Sequence, residues 1–266
     1  MKQPLAYIHP EAKIAPNVVI EPFTTIDKNV VIGEGTRICS NVTIMEGARI
    51  GKNCIIFPGA VIGAIPQDLK FVGEDSTAEI GDNTTIRECV TVNRGTKSKG
   101  KTVVGSNCLL MAYVHVAHDC VIGDYVILGN SVQLAGEVII DDWAILSGLS
   151  AVHQFVRIGS HVMISGGSMV LKDVPPFVKA AREKLSYMGV NSIGLRRRNF
   201  TNDQISDIQN CYRILFQSKI NVSEALVRIE AELPASKERD EIILFVKSSQ
   251  RGIIRGYNPG AGAGDE

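Results

Sequence analysis

Large aliphatic residues recur at every sixth position over the first two thirds of the chain. Ile8, Ile14, Ile20, Ile26, Ile32, Ile38, Ile44, Ile50, Ile56 and Ile62 follow one another without a break. The register resumes at Ile80, Ile86 and Val92, then runs from Val104 to Val170. Of the 28 slots between 8 and 170, only Asp68, Glu74 and Ser98 depart from it. A glycine often follows the aliphatic residue, as at Gly33, Gly51, Gly105 and Gly123. Two places before it the residue is usually small, as at Ala12, Thr24, Ala48 and Ala144.

A period of six matches neither the amphipathic helix nor the two-residue alternation of a hairpin. It predicts a parallel β-helix, in which each hexapeptide makes one short strand and one corner. The aliphatic and small residues point inward, and glycine eases the corner. Three sides close a coil of 18 residues, and coils stack at the strand spacing, about 4.8 Å. Stacking buries a continuous core, so no single coil need be stable alone. The failing slots lie in GAIPQDLKFVGEDSTAE (63–79) and NRGTKSKGKTV (93–103). Both are polar, carry Gly or Pro, and read as loops extruded from the prism.

The pattern changes after Val170. The β-helix is expected to span 1–175, with KDVPPF (172–177) at its boundary, and an α-helical domain to span 176–255. Thr201-Asn202-Asp203-Gln204 has the capping-box form at the start of one helix. Asn221 to Glu224 opens a second, and SKERDEIILFVKSSQ (236–250) reads as a third. The stretch GYNPGAGAGDE (256–266) is too poor in large apolar groups to pack and is expected to be a disordered tail.

Coil geometry turns spacing into proximity. His118, Gly136 and Gln154 are 18 apart, so they should line one outer edge about 5 Å from each other. A neutral imidazole at His118 can take a proton from a hydroxyl, and the adjacent Asp119 can fix its tautomer. A glycine beside it leaves a backbone N–H open to an oxyanion. His115 shares the rung. The plainer alternative is two histidines on an ordinary solvated surface. A zinc site of the γ-carbonic anhydrase type, with lyase chemistry, is a sharper rival and needs three converging ligands. His153 is two coils beyond His118, so one chain lacks the third. A non-catalytic scaffold is the remaining class.

Composition narrows the setting. Lys+Arg and Asp+Glu are both 28, so the balanced charge implies no global affinity for nucleic acid or membrane. The N-terminal stretch lacks the apolar core of a signal peptide, and no run reaches membrane-span length. The six cysteines show no CxxC spacing, as expected of free thiols in a reducing cytoplasm. Cys54, Cys108 and Cys120 fall in the inward small slot. Between 172 and 198, seven Lys/Arg stand against Asp173 and Glu183. That patch suits phosphates or an acidic carrier.

The ordered set PQDLKF (66–71), NRGT (93–96), HVAHDC (115–120), LAGEV (134–138), AVHQF (151–155), KDVPP (172–176) and GLRRRNF (194–200) resembles the UDP-N-acetylglucosamine O-acyltransferases of lipid A biosynthesis. The resemblance implies a mainly β fold, a left-handed parallel β-helix followed by a C-terminal α-helical domain, in a cytoplasmic homotrimer with active sites between subunits. It implies transfer of an (R)-3-hydroxyacyl chain from acyl carrier protein to the 3-hydroxyl of UDP-N-acetylglucosamine. His118 would be the base, Asp119 its orienter and Gly136 N–H the oxyanion donor, with no acyl-enzyme, cofactor or metal. Gln67, Asp68, Lys70, His115, Glu137, His153, Gln154 and Asn191 would hold substrate, and Arg197 and Arg198 the diphosphate. Gly166 would set acyl length, a glycine there leaving the groove open. Three departures stand out. Glu137 replaces the histidine of the usual LAGH, Asn93 stands where histidine is common, and AAREKLSY (180–187) replaces a Gly-Asn-containing turn. A 3-amino acceptor therefore stays open, and acetyl-CoA chemistry is a further rival.

Overall fold

The computed structural model describes residues 5–256. Residues 257–266, nearly all of the stretch expected to be a tail, lie outside it. From Tyr7–Ile8 to Met169–Val170 the chain forms strands of two to four residues, arranged in three parallel sheets of nine, eight and eight strands, the third of which later strands extend to eleven. Tyr7 pairs with Thr25 and Ile8 with Ile26, so each coil takes 18 residues. The fold is a left-handed parallel β-helix of hexapeptide repeats. Its core is the aliphatic column: Ile26, Ile44, Ile62, Val92 and Val116 have no exposed surface. Deleting such a side chain to alanine would cost about 2–5 kcal/mol.

Two coils are longer. Val61 pairs with Thr91, and Thr91 with His115, exceeding the 18-residue step by 12 and by six. Those excesses equal two hexads and one, which accounts for the failed slots 68, 74 and 98. Each loop replaces whole hexads, so the inward register is unchanged when the chain re-enters the prism.

The corners differ from the expectation. Glycine after the aliphatic residue was the anticipated corner, yet Gly33 and Gly123 do not adopt positive φ. A Cβ on Gly33 would lie 2.7 Å from the carbonyl carbon of Gly51 in the next coil. These glycines permit close stacking. The left-handed residue comes two places later, at Asn29, Asn53, Asp119, Tyr125, Glu137, Trp143 and His161, with φ between 53 and 63°. Asn and Asp tolerate that region through local hydrogen bonds, whereas aromatic residues need tertiary support.

Support comes from stacking. Tyr125 and Trp143 rings are 4.0 Å apart and parallel within 2°. His161 continues the ladder at 6.3 Å, then Phe177 at 5.6 Å, with Phe200 edge-on to His161.

Beyond Val170 the structure departs from an all-helical reading. Val178–Ala181 joins the eleven-strand sheet beside Met163–Ile164, and Ser186–Val190 returns antiparallel to it. A β-hairpin thus closes the end of the prism before the helices α1 (Ser192–Arg197), α2 (Asn202–Gln217), α3 (Val222–Glu232) and α4 (Lys237–Lys247). The Thr201 capping box is formed, and Asn221 and Ser236 cap α3 and α4. α2 buries Ile205, Ile208, Cys211 and Tyr212, and the Tyr212 hydroxyl donates to Pro176 O. Arg255–Gly256 then pairs with Ser186–Tyr187.

Candidate active site

His118 stands at the corner after the strand His115–Val116. Its Nδ1 lies 2.8 Å from Asp119 Oδ2. Asp119 is fully buried and adopts the left-handed corner conformation. The 93–101 loop folds back over its carboxylate. Oδ1 accepts the N–H groups of Thr96 at 3.0 Å and Lys99 at 3.2 Å, and Oδ2 accepts the Thr96 hydroxyl at 2.6 Å. Burial opposes ionisation of Asp119, but hydrogen bonds from Thr96 and His118 outweigh it and hold the carboxyl below its ordinary pKa. An ionised carboxylate only accepts, so His118 donates from Nδ1, and in the neutral imidazole the lone pair then lies on Nε2.

The stacking inferred from spacing is present. A Cβ on Gly136 would lie 2.6 Å from both Nε2 and Cε1 of His118, so the imidazole packs on the glycine of the next coil. Phe155 N–H donates to Gly136 O at 3.2 Å, carrying the stack on to the coil of Gln154. His115 Nδ1 is 2.7 Å from the Thr91 hydroxyl. Burial lowers the His115 pKa, and positive charge on His118, once it takes a proton, lowers it further.

Glu137 is committed to the same loop. Its carboxylate accepts the Ser98 hydroxyl at 3.2 Å and pairs with Lys99 Nζ at 3.9 Å. Lys99 Nζ also donates to Asp119 O at 3.2 Å. Asn93 is buried and donates to Ile65 O, tying the second loop to the base of the first.

Other expected residues stand apart from this cluster. Gln67 and Lys70 are exposed, and Asp68 accepts its neighbour's N–H, that of Lys70, at 2.9 Å. His153 Nδ1 is 3.1 Å from Gln154 O. Asn191 is buried, accepts Gly194 N–H at the start of α1, and donates to His161 O at 2.9 Å. Arg197 is exposed, whereas Arg198 lies 5.1 Å over the Trp143 ring and 3.3 Å from His161 Nδ1. Among the described residues no hydrogen bond or ion pair joins Gln67, Asp68, Lys70, His153, Gln154, Asn191, Arg197 or Arg198 to His118. Gly166 is exposed, and a Cβ there would meet Gly148 O at 3.2 Å.

Thr96, Ser98, Lys99 and Thr102 were not singled out by sequence reasoning. Thr96 lay inside a quoted motif on a flagged loop, but a loop has no periodicity to say which residue turns back. Among the described residues no group of three or more His, Cys, Asp or Glu side chains could hold a metal ion. No described helix is long and apolar enough to cross a membrane.

A family profile described as UDP N-acetylglucosamine O-acyltransferase, domain 2, matches residues 173–254. A bacterial transferase hexapeptide profile matches 101–136, and a GMPPB C-terminal domain profile matches 2–106. An acyl-[acyl-carrier-protein]–UDP-N-acetylglucosamine O-acyltransferase of Myxococcus xanthus is 45% identical over 194 residues, covering 73% of this chain and 75% of the relative. The Bacteroides fragilis UDP-N-acetylglucosamine acyltransferase structure superposes with a TM-score of 0.94 at 58% identity, over 96% of this chain and 100% of that one. The Acinetobacter baumannii structure gives 0.92 at 40% identity, over 95% and 99%. The chain is an enzyme that belongs to the acyl-[acyl-carrier-protein]–UDP-N-acetylglucosamine O-acyltransferase family.

Proposed function

We propose that this acyltransferase moves an (R)-3-hydroxyacyl chain from acyl carrier protein to the 3-hydroxyl of UDP-N-acetylglucosamine, the first step of lipid A biosynthesis in the cytoplasm. The supporting observation is the His118 ring, held through Nδ1 by buried Asp119 and packed on Gly136. His118 Nε2 takes the proton of the sugar hydroxyl as its oxygen attacks the thioester carbonyl. Gly136 N–H donates to the oxyanion that forms. Collapse expels the carrier thiolate, and the imidazolium returns the proton to it, so no acyl-enzyme arises.

Gln67, Asp68 and Lys70 would contact substrate from the first loop, with His115, His153 and Gln154 along the pocket and Asn191, Arg197 and Arg198 toward the nucleotide. Ile65, Leu69 and Val72 of that loop are exposed apolar residues, which suits a loop that meets a neighbouring subunit of a homotrimer. The absence of a side chain at exposed Gly166 suits a long acyl chain. Glu137, paired with Lys99 and Ser98, serves the loop and does not compete with Asp119 for His118.

Thioester turnover by the purified protein tests the reading. Carrier proteins bearing (R)-3-hydroxyacyl chains of several lengths are mixed with UDP-N-acetylglucosamine or with its 3-amino counterpart. Thiol release that depends on the 3-hydroxy sugar, favours chains longer than ten carbons and is lost in His118→Ala is the expected result. Turnover with the 3-amino sugar alone would reassign the acceptor, and full activity in His118→Ala would remove the base.

A further inference from the structure

The loop that replaces one hexad between the strands Thr91–Asn93 and Lys101–Val104 closes directly on the His118–Asp119 pair. We propose that Thr96 on this loop is a positioning residue for His118, clamping the Asp119 carboxylate so that it captures Nδ1–H and leaves Nε2 aimed at the acceptor. This rests on the reading of His118 as general base.

Three observations carry it. Thr96 supplies two of the four donors to the Asp119 carboxylate, its own N–H and its hydroxyl, and the hydroxyl shares Oδ2 with His118 Nδ1. The direction of that hydroxyl is set from behind. A threonine has one O–H proton, and Ser98 N–H already donates to Oγ1 at 3.1 Å, so the proton is free to point at Asp119. Finally, the backbone on both sides is locked: Gly100 N–H donates to Thr96 O at 2.7 Å, and Asp119 N–H donates to Thr102 Oγ1 at 2.8 Å. Thr96 and Thr102 are buried, so water does not stand in for either hydroxyl. The other charged or titratable groups around the pair are His115 on the preceding strand, the buried Cys120 thiol next to Asp119, and the Lys99–Glu137 ion pair. None of them donates a hydrogen bond to Oδ2.

Without the Thr96 hydroxyl, Oδ2 has His118 as its one remaining partner. The carboxylate is then freer to rock about its Oδ1 contacts and is a stronger acceptor toward the imidazolium. Thr96→Val keeps size and N–H but deletes the donor, whereas Thr96→Ser keeps it.

The experiment compares both variants with the unaltered enzyme and with His118→Ala, in full steady-state kinetics against pH and in proton NMR of the His118 ring. For Thr96→Val, kcat should fall about tenfold or more, part of the roughly 100- to 10,000-fold supplied by a general base. Both KM values should stay within about twofold, because Thr96 is buried against Asp119 and would act through it. The acid limb of kcat/KM should move to higher pH, because a carboxylate with fewer donors favours the charged imidazole more strongly. The low-field Nδ1–H resonance should broaden, and Thr96→Ser should restore all of these. Unchanged kcat, acid limb and resonance in Thr96→Val would overturn the assignment. So would a Thr96→Ser variant as impaired as Thr96→Val, since that pattern marks a purely structural residue. Turnover that survives His118→Ala would instead sink the general-base reading, whatever Thr96 does.

Discussion

Gly136 has no Cβ because His118 occupies the place where one would be. A methyl 2.6 Å from the imidazole cannot be accommodated by backbone on a stacked coil, so Gly136→Ala must push the ring away. Misplacement by about 1 Å costs on the order of 100-fold in rate. The variant should therefore fold with an unchanged melting temperature and lose about two orders of magnitude in kcat. Stopped thioester assays beside thermal melts check this, and a folded Gly136→Ala enzyme with ordinary kcat would contradict the packing argument. His118, Gly136 and Asp119 were legible in the chain because their spacing obeys the coil. Thr96 and Lys99 were not, because they reach the site from a loop that has left the repeat. Motif position singled out Asn191 and Arg198, and the structure adds contacts that it did not foretell: Asn191 caps α1 and Arg198 stacks on Trp143.

At the scale of elements, the ladder of corner aromatics joins the prism to the segment around α1. His161 is its middle rung, and it accepts from Arg198 through Nδ1, which requires a neutral ring. Burial, with Arg198 adding to it, lowers the His161 pKa to about 4. A histidine whose folded pKa is depressed adds stability that is full above its unfolded value near 6.5 and is lost as pH falls toward 4. The loss attributable to this residue is at most about 3 kcal/mol. Asp141 and Glu241 line the same recess with raised pKa values, chiefly from burial, and are common to both proteins in a comparison. His161→Phe should keep the stacking and flatten the fall in melting temperature between about pH 6.5 and 4. Parallel slopes for the two proteins would show that His161 does not titrate in that window. The ladder itself escaped sequence analysis because Tyr125, Trp143 and His161 sit two places after the glycine slot that was read as the corner.

For the whole molecule, the question is how the first loop reaches the chemistry. Within one chain Gln67, Asp68 and Lys70 have no bond to the His118 cluster, which agrees with the proposal that a neighbouring subunit completes the site. Mixed oligomers test it. Lys70→Ala and His118→Ala, each weakly active or inactive alone, should regain activity when unfolded together and reassembled, because some sites then receive an intact loop and an intact histidine from different chains. Reassembled mixtures no more active than the sum of the two variants would place the whole site in one chain.

The hexad alone determined the prism, its three sheets and the column that carries His118 over Gly136. A solenoid repeats one local rule, and stacking converts sequence distance into spatial distance at a constant 18 residues. Even the loops obeyed it, since they consumed whole hexads and returned the chain in register. Tertiary structure alone decided what departs from the repeat: the fold-back of 96–99 onto Asp119, the aromatic rungs, and the hairpin at 178–190 that precedes the helices. Those contacts depend on chain closure and burial between distant segments, and no local period encodes them.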